Sequence, residues 1–249
     1  SNQNEIGTKT KTIPTENKPS EPSPKPKTKQ NILFVGDSIR HNVDFDYIGK
    51  KIDGNMRTEK AYTAVYDKNA KFPTQNFQAV IQKKLHEEPA NALILHGGSV
   101  DITNLDTQTD PFNQIEYLKQ EAVKSSQNLF KIAENALSQN QNLRNVVIIE
   151  RTERYDKEEN DPFRVKSQLT KLGNSEYKKL LKDSHFKGKI IVSQNNLTVS
   201  GSTVEQRFGS LNDKNFDGIH LTNGQGRSDL TQNLLNILYD SGVIRYKYN

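Results

Sequence analysis

Residues 31–44, NILFVGDSIRHNVD, contain the clearest indication of the fold. Its four apolar side chains, Ile32 to Val35, run into Gly36-Asp37-Ser38 and then stop. A short apolar run that ends at a glycine and polar residues is typical of a buried β-strand followed by a turn. Ser38 therefore lies just beyond the carboxyl end of the first strand, where it is either a turn residue or a nucleophile.

Beyond this stretch, short apolar segments alternate with helical periodicity over about 200 residues. The pattern predicts α/β architecture: a three-layer α/β/α domain with a central parallel sheet of about five strands. Helix start signals are a Thr74 cap, Asp110-Pro111 and Asp161-Pro162, and Gly242 is placed to end the last helix. The predicted strands are residues 32–35, 56–65, 92–96, 145–150 and 189–193.

Composition separates a tail from the domain. Residues 1–30 contain six lysines, three glutamates and five of the nine prolines, with almost nothing to bury. We expect a disordered Pro/Lys-rich linker over 1–30 and one folded domain over 31–249. The tail carries +3 of the chain's net charge of +5, so a weak nucleic-acid contact is expected mostly there, and the domain is nearly neutral.

Several classes of function are excluded. The chain has no cysteine, so it has no disulfide, no thiolate metal site and no cysteine nucleophile, and its compartment stays open. No apolar run approaches the ~20 residues of a membrane span. No cluster of side chains has the spacing of metal ligands, so we predict neither a metal nor a cofactor. The sequence begins at Ser1 without a methionine, and we expect a fragment or a processed form.

Three polar motifs are predicted to meet at one edge of the sheet. Gly36-Asp37-Ser38 follows the first strand, residues 96–101 (HGGSVD) follow the third, and Asp217-Gly218-Ile219-His220 precedes the last helix. In parallel α/β sheets, ligands bind beyond the carboxyl ends of the strands. The sequence thus predicts a site at this edge.

The residue types fit acyl transfer. A serine hydroxyl becomes a nucleophile when an imidazole takes its proton and a carboxylate orients that imidazole. We assign these roles to Ser38, His220 and Asp217. The alternatives are Ser38 as a helix cap and Asp217 to His220 as a surface turn, and His96 is expected to be a core or rim histidine.

The motifs, in this order, resemble those of the SGNH/GDSL hydrolase superfamily over residues 31–240. The resemblance implies a flavodoxin-like esterase fold with the serine in Gly36-Asp37-Ser38 and the Asp217-x-x-His220 pair near the carboxyl terminus. The segments VGDSI, GGSVDITNL and DGIHL also resemble esterase-like domains of invertebrate mobile-element proteins.

The resemblance implies an oxyanion hole that is partly lost here. The family's second motif donates a glycine amide, and the matching residues 60–65 contain no glycine. Its third motif, Gly-x-Asn-Asp, aligns with residues 98–101, so Val100 stands where the family has its asparagine. Removing one oxyanion donor costs about 10²–10³ in rate. Ser99 and Asn104 are the candidates to replace the lost donor. Gly36, Asp37 and Gly98 are the other residues in these motifs that are expected to bind the substrate or its oxyanion.

The expected ligand is a small ester, such as an O-acetyl ester. A long, structureless loop is predicted over residues 195–216, and Arg207 in this loop and Arg40-His41 after the serine are placed to meet an anionic or polar acyl group. We predict a serine esterase that needs no cofactor. The alternative is a catalytically impaired SGNH-like binding module that holds RNA or a protein partner.

Overall fold

The computed structural model describes residues 30–60, 71–155, 164–197 and 200–244. Within these ranges five strands alternate with helices. The strands are β1 (Gln30–Gly36), β2 (Gly54–Lys60), β3 (Ala92–His96), β4 (Asn145–Ile149) and β5 (Ile190–Ser193). The helices are α1 (Phe45–Lys51), α2 (Asn76–Glu87), α3 (Ser99–Thr103), α4 (Pro111–Gln139), α5 (Val165–Asp183), α6 (Val204–Phe208) and α7 (Gln225–Asp240).

The five strands form one parallel sheet in the order β2-β1-β3-β4-β5. The predicted α/β fold class is therefore confirmed. Because β1 has β2 on one side and β3 on the other, the chain reverses its direction of travel across the sheet at β1. Gly36 pairs with His96 at the last position of the β1–β3 register. Side chains that follow these two strands therefore emerge next to each other, at the point where such sheets form a ligand cleft.

Alternate residues of each strand enter two separate cores. Leu33 and Val35 of β1 pack with α2, α4 and α5 on one face of the sheet. Ile32 and Phe34 pack with α1 and α7 on the other face. Since neighbouring residues of a strand point to opposite faces, a continuous apolar run such as ILFV is what a sheet covered by helices on both sides requires.

Two local expectations were wrong. Thr74 does not cap α2, which begins at Asn76, because its hydroxyl and amide both bind the buried carboxylate of Asp101. The predicted structureless loop contains α6, whose start is a capping box between Thr203 and Gln206. A Thr-x-x-Gln sequence at this position was the signal for that helix.

The start of α4 and the end of α7 agree with the sequence-based expectations. Pro111 begins α4, and Gly242 follows α7 with φ of 75°. The Asp161-Pro162 signal and residues 1–29 of the linker expected over 1–30 lie outside the described residues, and Gln30, the last residue of that expected linker, belongs to β1. No helix in the described ranges is both long and apolar enough to cross a membrane.

Candidate active site

The turn after β1 presents Ser38 to solvent. Asp37 is buried, its amide donates to the carbonyl oxygen of His96 at 3.1 Å, and its carboxylate accepts the amide of Ile39 at 3.0 Å. These two bonds tie the turn to the end of β3 and close it on itself. Ser38 is left exposed at the apex, directly beyond the carboxyl end of the strand.

Ser38, His220 and Asp217 form a continuous hydrogen-bonded row. Ser38 Oγ lies 2.8 Å from His220 Nε2, and His220 Nδ1 lies 2.6 Å from Asp217 Oδ2. The Ser38 hydroxyl therefore contacts the imidazole and does not cap a helix. The turn from Asp217 to His220 brings its carboxylate and imidazole into contact with each other. An imidazole between a hydroxyl and a carboxylate is the arrangement that activates serine nucleophiles.

The loop before α7 fixes the carboxylate. Asp217 Oδ1 accepts the amides of Ile219 at 2.8 Å and His220 at 2.9 Å. Partial burial alone would raise the pKa of Asp217, but the hydrogen bonds from the His220 ring and from these two amides together lower it. The carboxylate thus remains ionised while it holds Nδ1 of the imidazole.

Gly218 lets this loop lie against the segment after β4. Its φ is 72°, a conformation that side chains other than glycine rarely adopt, and a Cβ there would overlap the carbonyl oxygen of Tyr155. The Tyr155 amide donates to the Gly218 carbonyl at 2.8 Å, and the Tyr155 ring meets the Phe216 ring edge-on. These contacts hold Asp217 and His220 over the sheet.

Arg40 lies beneath the serine turn, contrary to the expectation that it meets an acyl group. Its side chain is fully buried, and it donates to the Leu230 carbonyl at 3.3 Å and to Asn195 and Asn233 at 3.1 and 2.7 Å. Burial lowers the pKa of Arg40 to about 9, against the opposing charge of Asp37. The residue joins the serine turn to α7 and to the end of β5.

His96 is a buried histidine, as expected. Its Nε2 lies 3.4 Å from both Thr152 Oγ1 and Asn195 Nδ2, and its Nδ1 lies 3.6 Å from Asp37. Burial, and then the charge of Arg40, lower the pKa of His96, so the ring is neutral at neutral pH. His96 thus supports the Asp37 turn from below.

The loop after β3 contains the residues that the sequence resemblance aligns with a third motif. Gly98 has φ of 108° and precedes α3, and Ser99 is buried. Val100 lies half-buried in the first turn of this helix. Because its side chain is a hydrocarbon, it has no hydrogen-bond donor for an oxyanion. Asn104 is exposed at the opposite end of α3, one helical turn away from this loop.

A buried arginine that the sequence analysis missed supports the same loop. Arg151 is 1% exposed and donates to Ser125 at 2.6 Å and to Ser126 at 2.9 Å. A Cβ at Gly98 would overlap its guanidinium, and a Cβ at Gly173 would lie 2.8 Å from its Nη1. The guanidinium is therefore packed between two glycines, directly behind the turn that begins α3.

Asp101, the aspartate of the aligned third motif, completes this buried network. Its carboxylate accepts the Thr74 hydroxyl at 2.6 Å and also the Ser125 hydroxyl, which links it to Arg151. Burial raises the pKa of Asp101, against the opposing effect of these hydroxyl donors and of the Arg151 charge. The aspartate thus anchors α3 from inside the protein instead of facing a ligand.

Arg207 is largely buried in α6. Its Nη1 donates to the carbonyl and, at 3.0 Å, to the hydroxyl of Ser202. Its carbonyl accepts the Thr222 amide, which ties α6 to the loop before α7. Arg207 therefore braces the segment around Asp217, and it also lines a cavity at the carboxyl ends of β4 and β5.

The sequence contains little that marks Arg40, Arg151 or Asn195. Each is a polar residue just after a strand, which places it at the ligand edge of the sheet, but nothing local distinguishes a buried arginine from an exposed one. Their roles depend on contacts between segments far apart in the chain. Asn195, for example, bonds Arg40 at 3.1 Å across 155 residues.

Solved structures with a similar fold are hydrolases and acyltransferases. A catalytic mutant of an acetylxylan esterase from Geobacillus stearothermophilus shares 10% identity over 87% of this chain and 97% of that chain, with a TM-score of 0.54. The catalytic domain of peptidoglycan O-acetyltransferase A from Streptococcus pneumoniae shares 8% over 89% and 99%, with a TM-score of 0.50. An esterase from Pseudoalteromonas sp. shares 10% over 84% and 96%, with a TM-score of 0.51.

No family model and no curated protein sequence matches the chain. The likeness is thus one of fold, at 8–10% identity. It shows that the chain has the SGNH/GDSL hydrolase fold. The finer resemblance to esterase-like domains of mobile-element proteins stays a prediction.

Proposed function

From the SGNH/GDSL hydrolase fold, we propose that the chain is a serine esterase that cleaves a small ester through an acyl-serine intermediate. One observation carries the proposal: Ser38 Oγ, His220 and Asp217 are joined by hydrogen bonds of 2.8 and 2.6 Å. The row lies where β1 and β3 end, at the reversal point of the sheet. Side chains of the types that serve as nucleophile, base and orienting carboxylate therefore lie together at the edge where such sheets bind ligands, which supports the proposal.

The proposed reaction has two halves. Ser38 Oγ attacks the ester carbonyl carbon while His220 Nε2 takes the hydroxyl proton, and Asp217 stabilises the imidazolium that forms. The tetrahedral intermediate collapses, the C–O bond to the alcohol breaks, and His220 gives its proton to the departing alkoxide. Water then attacks the acyl-serine with His220 again as base, releasing the acid and restoring Ser38.

The oxyanion is received by backbone amides in this proposal. Among the described residues, none accepts a hydrogen bond from the Ser38 amide, and Ser38 is an exposed residue at the apex of the turn. The Gly97-Gly98 segment runs alongside, because Gly36 and His96 are paired at the strand ends. With Val100 in place of the family asparagine, these amides act without a side-chain donor, and slow turnover follows.

An O-acetyl ester is the proposed substrate type. Two of the structurally similar proteins, the acetylxylan esterase and the peptidoglycan O-acetyltransferase, are named for acetyl groups. The exposed Ser38 and His220 side chains leave the nucleophile open to a substrate carried on a larger alcohol. The acyl group is therefore expected to be small and the alcohol to be the larger part.

Hydrolysis of 4-nitrophenyl acetate tests the proposal. We expect slow but saturable turnover by the wild type, and a loss of about 10³-fold or more in Ser38→Ala and in His220→Ala. Matched controls are Ser228→Ala and His86→Ala, both exposed on helices, which should keep wild-type rates. Equal rates in Ser38→Ala and the wild type would refute a serine mechanism.

The valine at position 100 favours one other candidate function. In this alternative the chain is a binding module that has the same fold, does not turn over an ester, and binds RNA or a protein. An apolar side chain replaces the expected oxyanion donor in the first turn of α3. Binding through phosphates would weaken steeply as salt rises, whereas turnover of a neutral ester would barely respond. Salt titration of RNA binding, beside ester turnover, separates the two candidates.

A further inference from the structure

A polar cavity lies beside the serine site, at the carboxyl ends of β4 and β5. Its volume is about 370 Å³, within the range of small-molecule sites. The mechanism proposed above uses none of its side chains directly. The cavity is lined by two carboxylates, three side-chain amides, one guanidinium and two apolar side chains: Glu150, Glu153, Gln194, Asn195, Asn196, Arg207, Leu197 and Phe208.

The cavity is connected to the serine site through shared residues. Asn195 lines it and also donates to Thr152 at 2.9 Å and accepts from Arg40, which lies beneath the serine turn. Phe208 packs against the Tyr155 ring, which in turn contacts Phe216 beside Asp217. Neighbouring strands are ~4.8 Å apart, so the ends of β1 and β4, with β3 between them, are separated by about 10 Å.

Glu150 is the unusual group in this wall. Its side chain is half-buried, and none of the described residues donates a hydrogen bond that influences its carboxyl group. Burial raises the pKa of Glu150 to about 7, with Lys178 opposing the rise and Glu153 adding to it. A carboxyl group that is partly withdrawn from water and has no hydrogen-bond donor gains from a ligand that supplies one.

The charges of the wall select a neutral ligand. Two carboxylates disfavour an anion, and the Arg207 guanidinium in the same wall disfavours a cation. Carboxyl, amide and guanidinium groups together offer both donors and acceptors, which suits a ligand with several hydroxyl groups. Phe208 and Leu197 provide an apolar surface for the C–H face of such a ligand.

We propose that this cavity binds the sugar ring of an O-acylated carbohydrate, with Glu150 accepting or donating hydrogen bonds to its hydroxyl groups. This inference rests on the proposed esterase function and names the alcohol part of its substrate. A ring held at the ends of β4 and β5 reaches back over β3 with an acyl group attached, so the ester carbonyl arrives at Ser38. Glu150 is a binding residue in this arrangement and takes no part in the proton transfers.

The test compares two acetyl esters that differ in the alcohol. 6-O-acetylglucose carries a sugar, and 4-nitrophenyl acetate does not. In Glu150→Ala we expect KM for 6-O-acetylglucose to rise about tenfold, from the loss of one or two hydrogen bonds, with kcat/KM for 4-nitrophenyl acetate within twofold of wild type. Glu150→Gln keeps the shape of the side chain and replaces Glu150→Ala in this test if the alanine variant folds poorly. Glu87→Ala, exposed at the end of α2, is the matched control.

Two outcomes of the comparison overturn the inference: equal loss on both esters, which indicates a structural role, and no change on either. Binding of 6-O-acetylglucose to Ser38→Ala, measured by calorimetry, is independent of turnover. Binding that Glu150→Ala weakens supports the cavity even if no ester is hydrolysed, in which case the esterase proposal alone fails. No heat of binding in Ser38→Ala overturns the sugar site while leaving serine reactivity to be judged separately.

Discussion

Replacement of Arg151 by methionine tests the support of the loop that follows β3. The wild-type guanidinium donates to Ser125 and Ser126 at 2.6 and 2.9 Å and lies 5.5 Å from the Tyr177 ring centre. Methionine fills a similar volume but removes the charge and both donors. Asp101, linked through Ser125, is then left as a buried carboxyl group without its nearby cation.

Removing one partner of a buried charged network costs about 3–5 kcal/mol. For a chain of this size each kcal/mol shifts Tm by about 2–4 °C, so Arg151→Met should melt about 6–20 °C below wild type. Because burial already raises the folded pKa of Asp101 and loss of the Arg151 charge raises it further, the stability deficit of the variant should grow as pH increases above the folded pKa of the wild-type aspartate.

Urea unfolding at pH 5 and pH 8 measures both effects. The control is Arg227→Met in α7, whose exposed guanidinium lies 3.9 Å from Asp44 and whose loss should cost about 1 kcal/mol or less. If Arg151→Met is destabilised by no more than Arg227→Met at both pH values, the buried network does not hold the loop.

Three further predictions concern the catalytic loop and the cavity. Asp217→Asn should lower kcat by about 10³–10⁴-fold with little change in Tm, because the imidazole loses its orienting carboxylate; an unchanged kcat would contradict the assigned role. Gly218→Ala should destabilise the fold by about 1–3 kcal/mol and slow turnover, since its φ is 72° and a Cβ would overlap Tyr155. Gly49→Ala, in helix α1 with open space around it, is the control and should not destabilise the fold, because alanine favours a helix by about 0.5–1 kcal/mol over glycine. Glu150→Gln should flatten the pH dependence of stability. The raised pKa of about 7 makes wild-type stability highest below pH 4.5 and lower as pH rises to 7. At pH 8 the variant should therefore be more stable than wild type by up to about 3 kcal/mol in urea unfolding, and parallel pH profiles of the two proteins would refute this.

The sheet was predictable because strands covered on both faces leave continuous apolar runs. Ile32 to Val35 and Ala92 to Leu95 carry that signal, and both are strands in the structure. The Ser38, Asp217 and His220 trio was predictable from chain position, since each motif adjoins an element that ends or begins at the same edge. Their hydrogen bonds show proximity, and their chemical roles stay a prediction.

The support of the site was not predictable, because it depends on burial rather than on motif. Arg40 follows Ser38 by two residues and was expected to face the ligand, yet its guanidinium lies under the turn, held by α7 and Asn195. Thr74 has the sequence signature of a helix cap, but its amide and hydroxyl both donate to Asp101, which is distant in sequence. A single sequence does not reveal which distant partner competes for a local hydrogen bond.

Covalent labelling by a fluorophosphonate, read by intact mass and peptide mapping, tests the central claim most directly. We predict one adduct on the wild type, located at Ser38 and absent from both Ser38→Ala and His220→Ala, because only a serine activated by His220 reacts at an appreciable rate. A folded wild-type protein that stays unlabelled at Ser38, or that labels equally well without His220, would contradict the claim that this row of side chains is an active site.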